Sequence, residues 1–91
     1  MIYVDDPFEW QSDDWRKGWW CHMWSDSSTE ELVAFALQLG LEERWLQHRG
    51  RGRWLEHFDL RPGTRMLALR QGAAEIQATA FLRMMMQRET S

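Results

Sequence analysis

The scarcity of β-branched aliphatic residues is the strongest constraint on how this chain can fold. Only four of its 91 residues are Val or Ile, whereas seven are Trp, four are Phe and one is Tyr. Because Val and Ile suit the pleated surface of a sheet, so few of them predict short strands and a core supplied largely by helices. Five of the Trp fall between Trp10 and Trp24, a stretch that either fills the core with indole rings or presents them to a partner.

Length and composition indicate a single domain spanning residues 1–91. Hydrophobic residues make up 44% and charged residues 27% of the chain, as in soluble globular proteins. No segment approaches the roughly 18–20 apolar residues of a membrane helix, and the N-terminal segment turns acidic too early for a signal peptide. Cys21 is the single cysteine, which excludes an internal disulfide and a multi-cysteine zinc site. These features predict a cytoplasmic protein of a bacterium or an infected host cell, with no membrane partner.

The charges are divided unevenly along the chain, whose net charge is −3. Residues 1–31 contain eight acidic side chains and two basic ones, whereas residues 32–91 contain nine Arg and six acidic side chains. The overall acidity argues against a generic nucleic-acid coat protein but leaves room for a local basic patch. The preference for Arg suits phosphate or carboxylate recognition, and it is equally expected from a GC-rich coding sequence.

The order of elements predicts an α/β fold with about four short strands and three to four helices packed on the sheet. Strands are predicted at residues 2–4, 19–24, 57–60 and 74–77, and helices at 28–39, 42–47, 62–71 and 81–87. Residues 8–17 lack a clear period and are interpreted as a loop. The Arg/Gly-rich segment at 48–54 is interpreted as a mobile loop.

The first helix carries the clearest local signals. Two overlapping capping boxes precede it, Ser27 with Glu30 and Ser28 with Glu31. Apolar residues then recur at helical spacing until Gly40, which suits the left-handed position that ends a helix.

Strand alternation predicts a group of polar side chains on one face of the sheet. His57 and Asp59 are two residues apart and therefore share a face, while His22 follows the same rule in its own strand. Asp5, Asp6 and Asp26 stand at strand ends, where sites in α/β sheets tend to form. Because adjacent strand residues point in opposite directions, only one of Asp5 and Asp6 is expected to reach a shared site.

These side chains could hold a divalent metal, with Mn, Mg or Zn as the candidates. In this interpretation His22, His57, Asp59 and Arg65 are the candidate catalytic residues, and Asp5, Asp6 and Asp26 are the candidate metal ligands. Arg65, near the start of a helix, would bind a phosphoryl oxygen. Two alternatives stay open: a His–Asp pair acting as general base without metal, and a purely structural network of capped turns and satisfied histidines.

A second set of residues is a candidate contact surface. Trp10 and Trp15 lie in the predicted loop, where indole rings are available to a protein partner, a second copy of the chain, or stacked bases. The Arg/Gly segment adds a weaker indication of nucleic-acid binding. The candidate partner-binding residues are Trp10, Trp15, Arg49, Arg51, Arg53 and Trp54.

Several short motifs, taken in order, resemble a known family. They are Val4-Asp5-Asp6, Cys21-His22-Met23 with Asp26, Phe35-Ala36 with Leu39-Gly40-Leu41, Arg44-Trp45 with Gln47, His57-Phe58-Asp59, Arg65 and Gly72-Ala73. The set resembles small bacterial and phage proteins grouped as domain of unknown function 4031, over roughly residues 2–76. This chain has Phe58 where the family prefers Tyr. The family has no established activity, so the resemblance implies a shared polar set without a mechanism.

Two hypotheses about function follow from the sequence. The first is metal-assisted hydrolysis of a phosphoester in a nucleotide or nucleic acid, performed by the His and Asp residues. The alternative is a non-catalytic protein-binding module, of the kind that a phage could encode, using the Trp and Arg surface.

Overall fold

The fold, described by a computed structural model over residues 1–90, with side chains over residues 1–88, contains five strands and three helices. The elements are β1 (Ile2–Val4), β2 (Phe8–Trp10), β3 (Gly18–Ser25), α1 (Thr29–Gln38), β4 (Phe58–Leu60), α2 (Pro62–Arg70), β5 (Ala74–Glu75) and α3 (Ala78–Thr90). A 3₁₀ turn at Glu43–Trp45 lies between α1 and β4. The predicted α/β class is therefore confirmed, with one more strand than expected.

Strand β3 organises the sheet because three other strands pair with it. Strand β1 runs antiparallel to its C-terminal half and β2 to its N-terminal half, while β4 pairs with its centre. Strand β5 extends the sheet as a parallel neighbour of β1. The eight residues of β3 thus connect segments that are far apart in the sequence.

A bulge separates β1 from β2 along the edge of β3. Ile2 pairs with Ser25, and Phe8 pairs with Trp20. Ile2 and Phe8 are six positions apart, whereas their partners on β3 are only five positions apart. The edge therefore carries one extra residue between the two short strands, at positions 5–7. Bulges of this kind re-aim side chains and are common beside functional sites.

The two faces of the sheet are covered differently. One face packs against α1 and α2, and its buried side chains include Val4, Cys21, Met23, Phe58 and Leu60. The other face meets α3 at the C-terminal end of β3. There the rings of Trp24 and Phe81 stack with centroids 4.7 Å apart and Met85 completes a smaller cluster. The N-terminal part of this second face extends beyond the cluster on α3 and carries the polar side chains.

The local helix signals are confirmed in detail. Ser28 caps α1 by accepting a hydrogen bond from the amide of Glu31. After the helix, Gly40 has φ +86°, and the amide of Leu41 donates to the carbonyl of Ala36 over 3.0 Å, which is the Schellman arrangement. Pro62 occupies the first turn of α2, as its fixed φ predicts.

Two local predictions are wrong. Residues 8–10 form β2, where a loop is predicted, because pairing with β3 imposes an extended backbone that the sequence pattern does not reveal. The last helix, α3, begins at Ala78 rather than at the predicted residue 81. Of the seven Trp, only Trp24 is buried, so most indoles remain at least partly exposed. None of the helices in the described part of the chain is long and apolar enough to cross a membrane.

Candidate functional site

A cleft of about 330 Å³ opens on the uncovered part of the sheet. It is named here the aromatic cleft, because aromatic and imidazole rings make up most of its wall. Strands β2, β3 and β4 and the loop after β2 contribute to it. The lining residues are Phe8, Trp10, Trp15, Arg16, Trp20, His22, Gln47, His57 and Asp59.

The carboxylate of Asp5 contacts His22 at the start of the bulge, where the amide of Asp5 still donates to the carbonyl of His22 over 3.3 Å. The His22 amide donates to Asp5 Oδ1 over 2.6 Å, so the side chain replaces the main-chain acceptor that a regular ladder would offer. Nδ1 of the same imidazole lies 2.8 Å from Asp5 Oδ2 and donates to it. The carbonyl of Asp5 turns instead to Arg65, whose Nε donates to it over 2.8 Å. Asp5 is buried, and because it accepts the hydrogen bond from Nδ1, Nε2 of His22 is the nitrogen available to a ligand.

His57 and Asp59 approach from the opposite edge of β3. Nδ1 of His57 donates to the carbonyl of Leu55 over 2.7 Å, and its Nε2 lies 3.4 Å from Asp59 Oδ1. The side-chain amide of Gln47 donates to Oδ2 of Asp59. Main-chain hydrogen bonds between Gln47 and His57 hold these side chains in register. Both imidazoles are thus fixed through Nδ1, one by a carboxylate and one by a carbonyl.

Three of these side chains meet in one place, named here the His/Asp cluster: His22, His57 and Asp59. One ligand atom from each lies within 4.8 Å of the other two. The two imidazole rings stand edge-on with centroids 5.1 Å apart. A four-coordinate ion with bonds near 2.1 Å holds its ligand atoms about 3.5 Å apart, so the side chains would draw inward by about 1 Å on binding one.

The charges of the cluster are set by proximity as well as burial. Burial disfavours protonated His57, but its hydrogen bonds to Asp59 and the Leu55 carbonyl, with the charges of Asp59 and Asp5, outweigh burial and raise its pKa. Burial likewise disfavours ionised Asp59, yet the hydrogen bonds from His57 and Gln47 and the histidine charges bring its pKa below the ordinary value. In the metal-free protein the two form an imidazolium–carboxylate pair at weakly acidic pH.

Aromatic side chains form the walls around the cluster. The His22 ring lies between Phe8 and Trp24, with centroid distances of 5.0 and 5.1 Å and nearly parallel planes. Trp15, 75% exposed, meets Trp20 edge to face at 6.2 Å. These contacts fix the position of the His22 ring and give the cleft a flat, apolar side.

Arg61 secures the loop that carries Trp15. Its guanidinium lies 3.8 Å from the ring centroid of Trp20 and donates to the carbonyls of Trp15, over 2.6 Å, and Lys17, over 3.1 Å. Gly18 makes this approach possible: it has φ +119°, and a Cβ there would lie 2.9 Å from the Arg61 guanidinium.

The other candidate ligands lie outside the His/Asp cluster. Asp6 points to solvent, with 83% of its side chain exposed, and lies 3.7 Å from Arg65. Asp26 binds the amino group of Met1 and the guanidinium of Arg88. Arg65 supports the Asp5 carbonyl and lies 3.5 Å from Glu75, so it is not part of the cleft wall.

The candidate partner-binding residues are divided among several environments. Trp10 and Trp15 line the aromatic cleft and are exposed. Arg49 pairs with Glu43 and Arg53 donates to the carbonyl of Ser27, while Trp54 packs against the cluster on α3. Arg51 is exposed.

Sequence reasoning missed several residues of the cleft. Phe8 was assigned to a loop, and its place beside His22 depends on the pairing of β2. Arg16 belongs to no motif, and the family motif that includes Gln47 assigns it no role. His48 is a further omission: its ring centroid lies 5.7 Å from that of His57, and its backbone has φ 60°. The pairing of residues 47 and 57, visible only in the structure, is what brings Gln47 into the cleft wall and His48 next to His57.

Comparison with known proteins defines the family without adding an activity. Residues 2–88 match the family described as "Protein of unknown function (DUF4031)". No curated protein and no solved structure matches the chain. The family match continues through α3, beyond residue 76, where the resemblance in the motifs ends. Because it covers nearly all of the sequence, the chain belongs to the DUF4031 family.

Proposed function

We propose that the His/Asp cluster binds a divalent transition metal and uses it to hydrolyse a phosphoester. The observation that carries the proposal is the convergence of His22, His57 and Asp59, whose ligand atoms lie within 4.8 Å of one another beside an open cleft. Two imidazoles and one carboxylate leave coordination positions for water and substrate.

The surroundings of the two histidines support a metal site. Metal-binding histidines commonly donate their second ring N–H to a carboxylate or a backbone carbonyl, which fixes the ring and its tautomer. Asp5 provides the carboxylate for His22, and Leu55 provides the carbonyl for His57. A ligand set with two imidazoles favours Mn, Fe or Zn over Mg, which prefers oxygen ligands.

The chemistry proposed is the addition of water to phosphorus. A divalent ion held by His22, His57 and Asp59 would lower the pKa of a water molecule and so supply the nucleophile for the phosphorus atom. One P–O bond forms and the ester P–O bond breaks; the leaving oxygen takes up a proton, which balances the proton released by the water. Arg16 is the guanidinium in the cleft wall, and binding a phosphoryl oxygen would require it to exchange its pairing with Asp14.

Metal binding by purified variants tests the proposal. Isothermal titration calorimetry with Mn²⁺ and Zn²⁺ is expected to show one site in the wild-type protein, lost in His22→Gln, His57→Gln and Asp59→Asn. Asp6→Asn is the matched control, because Asp6 is acidic and close in sequence to Asp5 but exposed. Wild-type affinity for metal in the three cluster variants, or an equal loss in Asp6→Asn, contradicts the assignment.

Hydrolysis of bis(p-nitrophenyl) phosphate provides the activity readout. The rate is expected to depend on added Mn²⁺ or Zn²⁺ and to vanish with EDTA. Hydrolysis that persists in EDTA and still requires His57 and Asp59 would refute the role of a metal and favour a His–Asp general base.

A further inference from the structure

The aromatic cleft has an open stacking surface beside the His/Asp cluster. Phe8 already stacks on His22, and one face of Trp20 is covered by the guanidinium of Arg61. Trp10 and Trp15 line the same cleft but stay 48% and 75% exposed. Two large flat rings at the mouth of a polar site are suited to a ligand that is flat itself.

We propose that this surface binds the base of a nucleoside monophosphate, so that the substrate of the cleft is a single nucleotide. The inference narrows the substrate class and therefore rests on the proposed function for its phosphoester end. The base would stack on Trp10 or Trp15, with the sugar and phosphate extending towards His22, His57 and Asp59.

The stacking surface is held in place before any ligand arrives. Arg61 binds the carbonyls of Trp15 and Lys17, and the indole N–H of Trp20 donates to the carbonyl of Arg16 over 2.7 Å. In the same loop, the carboxylate of Asp14 accepts a hydrogen bond from the guanidinium of Arg16. A preorganised wall binds a ring more tightly because little conformational entropy remains to be lost.

Size and charge favour a monomer over a polymer. The cleft measures about 330 Å³, at the small end of the range of roughly 300–1,000 Å³ for ligand sites. Asp13 and Asp14 are exposed on the segment that forms its rim and offset the charges of Arg16 and Lys17, so this segment carries no net positive charge to attract a long polyanion.

The polar groups of the wall also disfavour a cationic guest. Aromatic cages bind alkylammonium groups when the rings face open space. Here Arg61 already covers a face of Trp20, and Arg16 contributes a guanidinium to the lining. Gln47 offers an amide that can pair with a base edge, although it now donates to Asp59.

Calorimetric titration of the full chain with three probes tests the inference. The probes are adenosine 5′-monophosphate, adenosine and ribose 5-phosphate, each with Mn²⁺ and again with EDTA. Adenosine 5′-monophosphate is expected to bind at least fivefold more tightly than ribose 5-phosphate, and adenosine is expected to bind with EDTA, because stacking needs no metal.

Exposed Trp variants identify the ring that stacks. Trp10→Leu or Trp15→Leu is expected to weaken adenosine binding by roughly 5- to 100-fold. Trp45→Leu is the matched control, since Trp45 is 48% exposed like Trp10 but lies on the 3₁₀ turn outside the cleft lining. Circular dichroism of each variant checks that the fold is retained.

The outcomes separate this inference from the proposed function. Adenosine binding that depends on Trp10 or Trp15, in a protein that binds no metal, supports the stacking site and refutes the metal site. Metal binding without any preference for adenosine 5′-monophosphate over ribose 5-phosphate overturns the inference and leaves the metal site standing. Preferential binding of a single-stranded oligonucleotide, or of tetramethylammonium, also overturns it.

Discussion

Substituting Gly18 by Ala is expected to damage the cleft wall by two separable effects. The first is backbone strain, because φ +119° is rarely adopted by residues with a Cβ. Strained positions of this kind cost about 1–3 kcal/mol. The second is a collision, because the new Cβ would lie 2.9 Å from the guanidinium of Arg61 and must push it aside.

The collision lowers the free energy of unfolding further, because Arg61 loses contacts when it is pushed aside. Its hydrogen bond to the Lys17 carbonyl comes from the same nitrogen that the Cβ would displace. Hydrogen bonds to charged groups contribute about 1.5–3 kcal/mol, and partial exposure places this one near the lower limit. Strain and collision together give an expected loss of about 3–4 kcal/mol in the free energy of unfolding.

Gly40→Ala is the matched control for the strain alone. Gly40 has φ +86°, and a Cβ built there meets no atom of the described residues within 4 Å. Its expected cost is about 1–2 kcal/mol, the usual cost of a left-handed residue with a Cβ. Urea unfolding followed by circular dichroism measures both variants under identical conditions.

A double-mutant cycle with Arg61→Ala decides whether the collision is real. In the Arg61→Ala background, Gly18→Ala is expected to cost only its strain, roughly the same as Gly40→Ala. A cost of Gly18→Ala that is equal in both backgrounds, or no larger than that of Gly40→Ala, would refute the role assigned to Arg61.

Three further predictions concern other parts of the molecule. Because folding raises the pKa of His57, the stabilisation from its positive charge is fully present below about pH 6.5 and is lost as the pH rises through the raised pKa. Because folding lowers the pKa of Asp59, the stabilisation from its negative charge is present above about pH 3.8 and is lost as the pH falls through the lowered pKa. Urea midpoints of the metal-free wild type are therefore expected to fall relative to those of Asp59→Asn as the pH rises above 6.5, and parallel profiles would contradict the pairing. Burial raises the pKa of Cys21 to about 12, so iodoacetamide is expected to label it only after unfolding, as mass spectrometry can show. Ser28→Ala removes the side-chain oxygen that accepts a hydrogen bond from the amide of Glu31, and it is expected to lower the free energy of unfolding by about 1 kcal/mol. An unchanged midpoint of urea unfolding would contradict this expectation.

The parts of the fold that sequence could predict are those fixed by neighbouring residues. The cap at Ser28 and the helix end at Gly40 depend on contacts within a few positions, and both are found as expected. Alternation in β3 separates Cys21 and Met23 from His22, and in the structure Cys21 and Met23 lie in the core while His22 lines the cleft on the opposite face. Each of these signals is local, so tertiary structure had little opportunity to override it.

The candidate site was harder to predict because long-range pairing selects its members. Alternation indicates that only one of Asp5 and Asp6 can reach a shared site, and the pairing of β1 with β3 decides that it is Asp5, which lies opposite His22. Asp26 resembles a ligand in sequence, yet the amino group of Met1 and the guanidinium of Arg88 hold it elsewhere. Arg65 could not be excluded from the site without knowing that it supports the main chain of Asp5.

The bulge at positions 5–7 also sets a rule for changes in chain length. Tyr3 and Asp5, with odd numbers, face the polar side of the sheet, whereas beyond the bulge it is the even-numbered Phe8 and Trp10 that do so. Deleting one of these residues would restore a regular ladder in which Phe8 takes the place opposite Trp20, so Phe8 and Trp10 would keep their partners and their face. Deleting two residues would instead place Glu9 opposite Trp20 and turn Phe8 and Trp10 to the other face, so the cleft tolerates the loss of the bulge but not the loss of one residue more.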